Sequence, residues 1–250
     1  MRRTGYEVNA AHEATHWWFL ARRELIRRQV ARAAAERGFP DRPLRLLDYG
    51  CGTGFDLPLL AEFGTALGAD LSTDTALEFR RPGPAPILDA ERDLDPYAGT
   101  FDVVTAFDVL EHLADDAAGL ARLRSLLVPG GQLVLTVPAY DFLWSGEDVV
   151  SAHHRRYTRR LLERVCRAAG LDVLFVSYFN LALLPAMAAV VWAHRLFDRN
   201  WASRSNVQPM PGWLNRCFEA VSAFETRRVG DERLRLPAGA SLVCRLRSAA

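Results

Sequence analysis

The chain has 250 residues, half of them hydrophobic and 24% charged, the composition of a folded protein with a full-sized core. All 31 residues in its Lys+Arg total are arginine, which excludes chemistry that needs the chain's own lysine: a Schiff base, a Walker-type phosphate lysine or a kinase strand lysine. With 30 acidic residues the net charge is +1, so no global field is available to hold nucleic acid and none is expected as a partner.

Met1 to Tyr6 leads into polar sequence, so no signal peptide is expected. A helix is predicted from about Thr15 to Arg37, with Trp18, Ala21, Leu25, Val30 and Ala33 on one side and arginines on the other. Short apolar runs follow at Leu44–Gly50, Thr65–Asp70, Pro86–Asp89, Phe101–Phe107 and Gln132–Val137. Helical patterns at Leu57–Phe63, Thr75–Arg80 and Asp115–Leu127 alternate with them, and Ser72 stands as a helix cap. That alternation predicts βαβ units and a parallel sheet covered by helices.

Beyond Pro138 the pattern changes. Residues 141–157 read as a loop rich in aromatic, acidic and His/Arg residues. Thr158 then caps a helix to Ala169, Gly170 stops it, and Leu171–Tyr178 is a strand. Leu181 to about Leu236 reads as mostly helical with a break at Pro209–Gly212, and Ser241–Arg247 is a closing strand. Val173–Ala193 carries no charge, yet Ser177, Tyr178, Asn180 and Pro185 interrupt it, so a strand and an apolar helix are expected there rather than a span. Four dispersed cysteines (Cys51, Cys166, Cys217, Cys244) without a CxxC pair fit a reducing cytoplasm.

Three strands end in or just before an acid: Asp48, Asp70 and Asp89. Ligands of such sheets bind beyond the carboxyl ends of the strands. Asp48-Tyr49-Gly50-Cys51-Gly52-Thr53-Gly54 follows a strand and opens a helix, so its glycines let backbone lie close to a ligand. The spacing is GxGxG rather than the GxGxxG of dinucleotide sites, and Asp48 repels phosphate but suits an ammonium group. A nicotinamide oxidoreductase is thereby disfavoured. Asp70 suits ribose hydroxyls, and Asp89-Ala90 an adenine amino group.

The segments LLDYGCGTG (46–54), GADLS (68–72), FDVVTAFDVLEHL (101–113) and LLVPGGQLVLTVP (126–138) together resemble class I S-adenosylmethionine-dependent methyltransferases, the broad family that includes ubiquinone-pathway methyltransferases. The resemblance implies an α/β, Rossmann-like, seven-stranded and mostly parallel sheet with helices on both faces, ending in a hairpin whose last strand is antiparallel. It implies one domain over 1–250: a helical lid (1–40), a cofactor-binding core (41–180), a helical insertion (181–236) and the last strand (237–250). S-adenosyl-L-methionine is the implied cofactor. Asp48, Gly50, Cys51, Gly52 and Gly54 would border its methionine moiety, Asp70 and Leu71 its ribose, and Asp89 and Ala90 its adenine. Phe107 and Asp108 would line the methionine side. Trp18, in an HWWF…RR start resembling one subset, would belong to a lid.

Methyl transfer to a hydroxyl needs an aligned acceptor and a base, and histidine is the usual base near neutral pH. His112 stands just past the fourth strand, and His153 lies in a His-His-Arg-Arg-Tyr-Thr run that resembles a subset's D…GHxRRYT pattern, with Ala152 where glycine is usual. Arg156, Tyr157 and Tyr140 are the candidate acceptor contacts. His12 and His16 lack a third ligand, so no metal is expected. The expected acceptor is a small molecule methylated at oxygen. Two alternatives stand beside it: a lipid- or polyprenyl-linked acceptor with peripheral membrane contact through the insertion, and a protein that binds the cofactor without transfer. Oligomeric state is left open.

Overall fold

The computed structural model describes residues 3–37, 42–198, 200–203, 207 and 210–248. Helices α1 (Arg3–His12) and α2 (Trp17–Arg37) precede β1 (Leu44–Tyr49), α3 (Leu57–Leu60), β2 (Gly64–Asp70), α4 (Thr73–Glu78), β3 (Ile87–Asp89) and β4 (Phe101–Phe107). Then come α5 (Asp116–Leu126), β5 (Leu127–Pro138), α6 (Gly146–Val150), α7 (Arg159–Ala168) and β6 (Leu171–Phe179). Helices α8 (Leu184–Phe197) and α9 (Gly212–Gly230) separate β6 from β7 (Ser241–Ser248).

The seven strands form one sheet in the order β3-β2-β1-β4-β5-β7-β6. All pairings are parallel except those of β7, which runs antiparallel to both β5 and β6. Every residue of β4 is buried, as a central strand covered on both faces must be. Alternate residues feed opposite cores: Leu46, Val103 and Val134 pack with Ile26 and Val30, whereas Leu47, Val104 and Leu133 pack with Leu120 and Leu123. Local signals set the ends of the helices. Asp115 accepts from Ala118 N at 2.9 Å, Thr158 accepts from Leu161 N at 3.3 Å, and Gly170 at φ +76° terminates α7.

Two segments differ from the sequence reading. The helix expected from about Thr15 to Arg37 is α2, beginning at Trp17, and a further helix that the sequence reading did not expect, α1, precedes it across a turn at residues 13–15. Helix α1 is mostly polar and gives little periodic signal; it is held by tertiary bonds, such as Tyr6 Oη donating to Asp70 Oδ1 at 2.6 Å. The stretch 141–157 contains α6, whose capping box has Ser145 N donating to Asp148 Oδ2 at 2.7 Å. The uncharged stretch is a strand and a helix, and no described helix is long and apolar enough to cross a membrane. Of the break expected at Pro209–Gly212, Pro209 lies outside the described residues, while Met210 and Pro211 stand outside any helix and α9 begins at Gly212.

Helix α9 lies along α2. Asn215 receives the Trp17 amide at 2.9 Å and donates to Thr15 O at 2.8 Å, while Gln29 Nε2 donates to Gly230 O at 2.8 Å. The two helical segments before and within the sheet's hairpin thus form one layer. Arg245 of β7 fastens that layer to the sheet through Glu36, Glu232 and Gln132.

Candidate functional site

At the carboxyl ends of β1, β2 and β4 a cavity of about 450 Å³ opens beneath α2 and α8. One end is made by the glycine turn after β1. Gly50 has φ +75°, and a Cβ there would lie 2.4 Å from Val109 Cγ2. Gly52, at φ +54°, has nothing within 4 Å of its Cβ direction, so backbone faces open space. Asp48 is buried behind the turn and accepts from Thr105 Oγ1 at 2.7 Å. Burial, and then the charge of Asp56, push its carboxyl up to about 7.

Asp70, at the end of β2, is also buried. Its Oδ1 accepts from Tyr6 Oη and Ser72 N, and its Oδ2 from Gly52 N at 2.9 Å. A carboxylate offers about four lone-pair sites, so Oδ2 retains one for a further donor. The turn is roofed by α1 and α2. Thr53 Oγ1 donates to Glu13 Oε2 at 2.7 Å, and Arg22 pairs with Asp108 while lying 4.7 Å over the Trp18 ring. Asp108 takes φ +53°, in the left-handed region that Asp enters more readily than most non-glycine residues.

The opposite end holds Glu111, His112 and His153. His153 Nδ1 lies 2.8 Å from Asp148 Oδ1. A carboxylate only accepts, so Nδ1 carries a hydrogen, and in the unprotonated ring Nε2 is the acceptor. Asp148 is fully buried and also takes the Arg156 guanidinium through two bonds of 2.8 Å. His153 and Arg156 hold its carboxyl well below the usual carboxylate range against the opposing effect of burial. Burial, then the nearby His153, hold the His112 imidazole down to about 3, so it is neutral at physiological pH. The two rings meet edge to face at 4.6 Å.

Glu111 was not singled out by sequence. It is fully buried, neither carboxyl oxygen has a hydrogen-bond partner in the described structure, and burial followed by Asp108 pushes its pKa well up. His153 Nε2 lies 4.0 Å from Glu111 Oε1. Together Glu111, His112 and His153 bring three donor atoms within 4.8 Å of one another, an arrangement able to engage several hydrogens of a ligand or a divalent ion. Its only sequence signal was adjacency to His112; burial without a partner is a tertiary property.

Between the two ends, α8 supplies an apolar wall. Leu183, Ala186, Met187, Val190 and Val191 recur at helical spacing along the cavity, joined by Met210 and Phe218.

The cavity therefore gathers Asp48, Gly50, Cys51, Gly52, Asp70, Leu71, Phe107, Asp108, Trp18, His112, His153 and Arg156. It does not gather the other five sequence candidates. Gly54 packs toward Leu57. Asp89 is drawn into its own turn: Arg92 binds its carboxylate at 2.6 Å and lowers its pKa to about 2, while Ala90 is buried in the core. Tyr157 is fully buried and donates to Asp116 Oδ2 at 3.0 Å. Tyr140 stacks between Phe142 and Tyr178 at 5.2 and 5.1 Å. Arg156 reaches the cavity wall, but its guanidinium is committed to Asp148 and Ala139 O.

Residues 17–176 match the family model of a methyltransferase domain. The chain is similar to ubiquinone biosynthesis O-methyltransferases: 40% identical over 95 residues to that of Methylococcus capsulatus (35% of this chain, 40% of the relative), and 31% over 163 residues to that of Aromatoleum aromaticum (54% and 68%). The match thus spans two fifths of the length of the first and about two thirds of the second. Among solved structures, an S-adenosylmethionine-dependent methyltransferase from Archaeoglobus fulgidus shares the fold at TM-score 0.54 and 17% identity, covering 90% of this chain and 94% of that one. With its seven-stranded sheet, glycine turn and family match, this chain belongs to the methyltransferase-domain family.

Proposed function

We propose that the protein transfers the methyl group of S-adenosylmethionine to an oxygen of a small-molecule acceptor. The observation that carries this reading is the Asp148–His153 pair, which fixes a hydrogen on Nδ1 so that Nε2 is the acceptor of the unprotonated ring, in the cavity that the glycine turn also lines.

The residues present fit the cofactor. A Cβ at Gly50 would collide with Val109, Gly52 offers bare backbone, Asp48 supplies a buried carboxyl for an ammonium group, and Asp70 Oδ2 retains a lone pair for a ribose hydroxyl. When bound, the cofactor supplies an activated methyl electrophile. The chain's own task is then to orient the acceptor, exclude water and receive one proton. The α8 wall and the α2 roof exclude water, and His153 Nε2 takes the proton that leaves the acceptor hydroxyl as its oxygen gains the methyl group. Asp148 keeps the imidazole in the accepting tautomer and stabilises the imidazolium that forms.

Similarity to ubiquinone biosynthesis O-methyltransferases supports oxygen as the accepting atom. The apolar wall of α8 favours an acceptor with an apolar body behind its hydroxyl. Calorimetry with S-adenosylhomocysteine, paired with turnover on hydroxylated aromatic acceptors, tests the reading. Absence of binding at tens of micromolar refutes it.

A further inference from the structure

Helix α8 is apolar on two sides. Its fourteen residues include no carboxylate, and Val191 alone among them is fully buried. The side carrying Met187, Val190 and Val191 lines the cavity. The remainder faces outward, with Leu196 70% and Phe197 86% exposed beside Trp192. A soluble helix normally turns polar residues outward once its apolar stripe has found a core. Among the described residues the second apolar side of α8 stays uncovered.

Helix α9 presents a matching feature. Trp213 (67% exposed), Val221 and Phe224 (64%) follow one another at helical spacing on its exposed side. The exposed charged residues of α9 are Arg216, Arg227 and Arg228; Glu219 is half-buried, and Glu225 is turned inward to receive the amides of Leu181 and Ala182 at 3.0–3.1 Å. Arg228 lies 3.7 Å over the Phe224 ring, and Arg195 lies 5.3 Å over Trp192. Helix α8 has no carboxylate, and on α9 the half-buried Glu219 is the one carboxylate that keeps partial exposure. Val190 both lines the cavity and is exposed, so the cavity opens beside the outer side of α8.

We propose that the outward sides of α8 and α9 rest on an anionic lipid bilayer surface, with the cavity mouth at Val190 turned toward the lipid. Exposed tryptophan and phenylalanine bordered by arginine suit the interfacial zone, where rings enter the acyl boundary and guanidinium groups meet lipid phosphates. A second copy of the chain suits this surface less well, because a two-fold contact brings the exposed Arg216, Arg227 and Arg228 of both copies together with only the half-buried Glu219 to offset them. The helices lie on the membrane rather than through it, in keeping with the absence of any described helix able to cross one.

Vesicle flotation tests the proposal without using turnover, so its outcome is separate from that of the methyl-transfer reading. The full chain is expected to float with phosphatidylcholine–phosphatidylglycerol vesicles about tenfold better than with phosphatidylcholine alone, and to detach in high salt. The double variant Leu196→Asp/Phe197→Asp is expected to lose flotation while keeping wild-type affinity for S-adenosylhomocysteine. Should that variant fold poorly, Arg216→Glu/Arg227→Glu should abolish the preference for anionic vesicles. Failure of the wild type to float with either vesicle overturns the proposal. So does unchanged flotation of both variants, or a concentration-dependent dimer in sedimentation that the same substitutions dissolve in place of vesicle binding.

Discussion

Asp148 and His153 are joined through Nδ1 at 2.8 Å, and the same carboxylate caps α6 and clamps Arg156. One buried acid therefore fixes a helix end, a loop and the tautomer of a cavity histidine. Replacing His153 by Gln removes the proposed base but leaves the Asp148–Arg156 pair, so turnover should fall at least 100-fold, about the lower value of a general base, with little change in S-adenosylhomocysteine binding. Asp148→Ala should in addition cost about 3–5 kcal/mol of stability, because it strands the Arg156 guanidinium in the interior. Single-turnover kinetics and urea unfolding separate the two effects.

The Asp48 carboxyl is raised to about 7, so below that pH it is largely neutral. A cationic ligand group prefers the ionised form. S-adenosylhomocysteine should therefore bind more tightly at about pH 8 than at about pH 6, by up to tenfold for one proton displaced per pH unit. Asp48→Asn should bind weakly at both values and lose the dependence. Calorimetry across that range measures it.

His112 carries the opposite consequence for folding. Its folded pKa is depressed to about 3, below the unfolded value, so the unfolded chain binds the extra proton first as pH falls. The stability it supports is present above the unfolded pKa of about 6.5 and declines below it, by about 1.5 kcal/mol between about pH 6.5 and pH 5. His112→Gln should flatten that portion of the stability profile in urea titrations.

Gly50→Ala should destabilise the protein by about 1–3 kcal/mol, since it forces φ +75° on an L-residue and drives Cβ to 2.4 Å from Val109. Adding Val109→Ala should recover only the steric part, leaving the backbone strain. Thermal unfolding of the single and double variants distinguishes the two.

Glu111→Gln should stabilise the fold by about 1–3 kcal/mol near pH 8, because it removes an ionisable carboxyl that is buried beside Asp108 with no hydrogen-bond partner in the described structure. Its raised pKa means that charging is resisted in the folded state, so the gain should grow as pH rises from about 5 to 8. Loss of stability in this variant is the outcome that contradicts the reasoning.

Much of the architecture was legible in the amino-acid sequence, for local physical reasons. The run 101–107 reads as predominantly apolar because a central parallel strand is covered on both faces, and Gly50 and Gly52 mark a turn because both take a positive φ that side chains disfavour, Gly50 with Val109 packed against it as well. Thr158 and Gly170 bracket α7 through capping that involves only neighbours in sequence. Asp48, Asp70, His112 and His153 stand at strand ends or in the loops beyond, which this topology brings to one cavity.

What required the tertiary structure depends on contacts distant in sequence. Tyr157 and Asp89 sit in motifs as suggestive as those of His153 and Asp70, yet Tyr157 is spent on Asp116 and Asp89 on Arg92. Glu111 looks like an ordinary surface acid until β4 and the 148–156 loop enclose it without a partner. The arginine-only cation count excluded lysine chemistry from the outset. Which arginines lie inside, as Arg22 and Arg156 do, and which remain outside, as Arg216 and Arg227 do, was decided only by packing α2 and the insertion against the sheet, since burial is a property of the folded surface rather than of residue type.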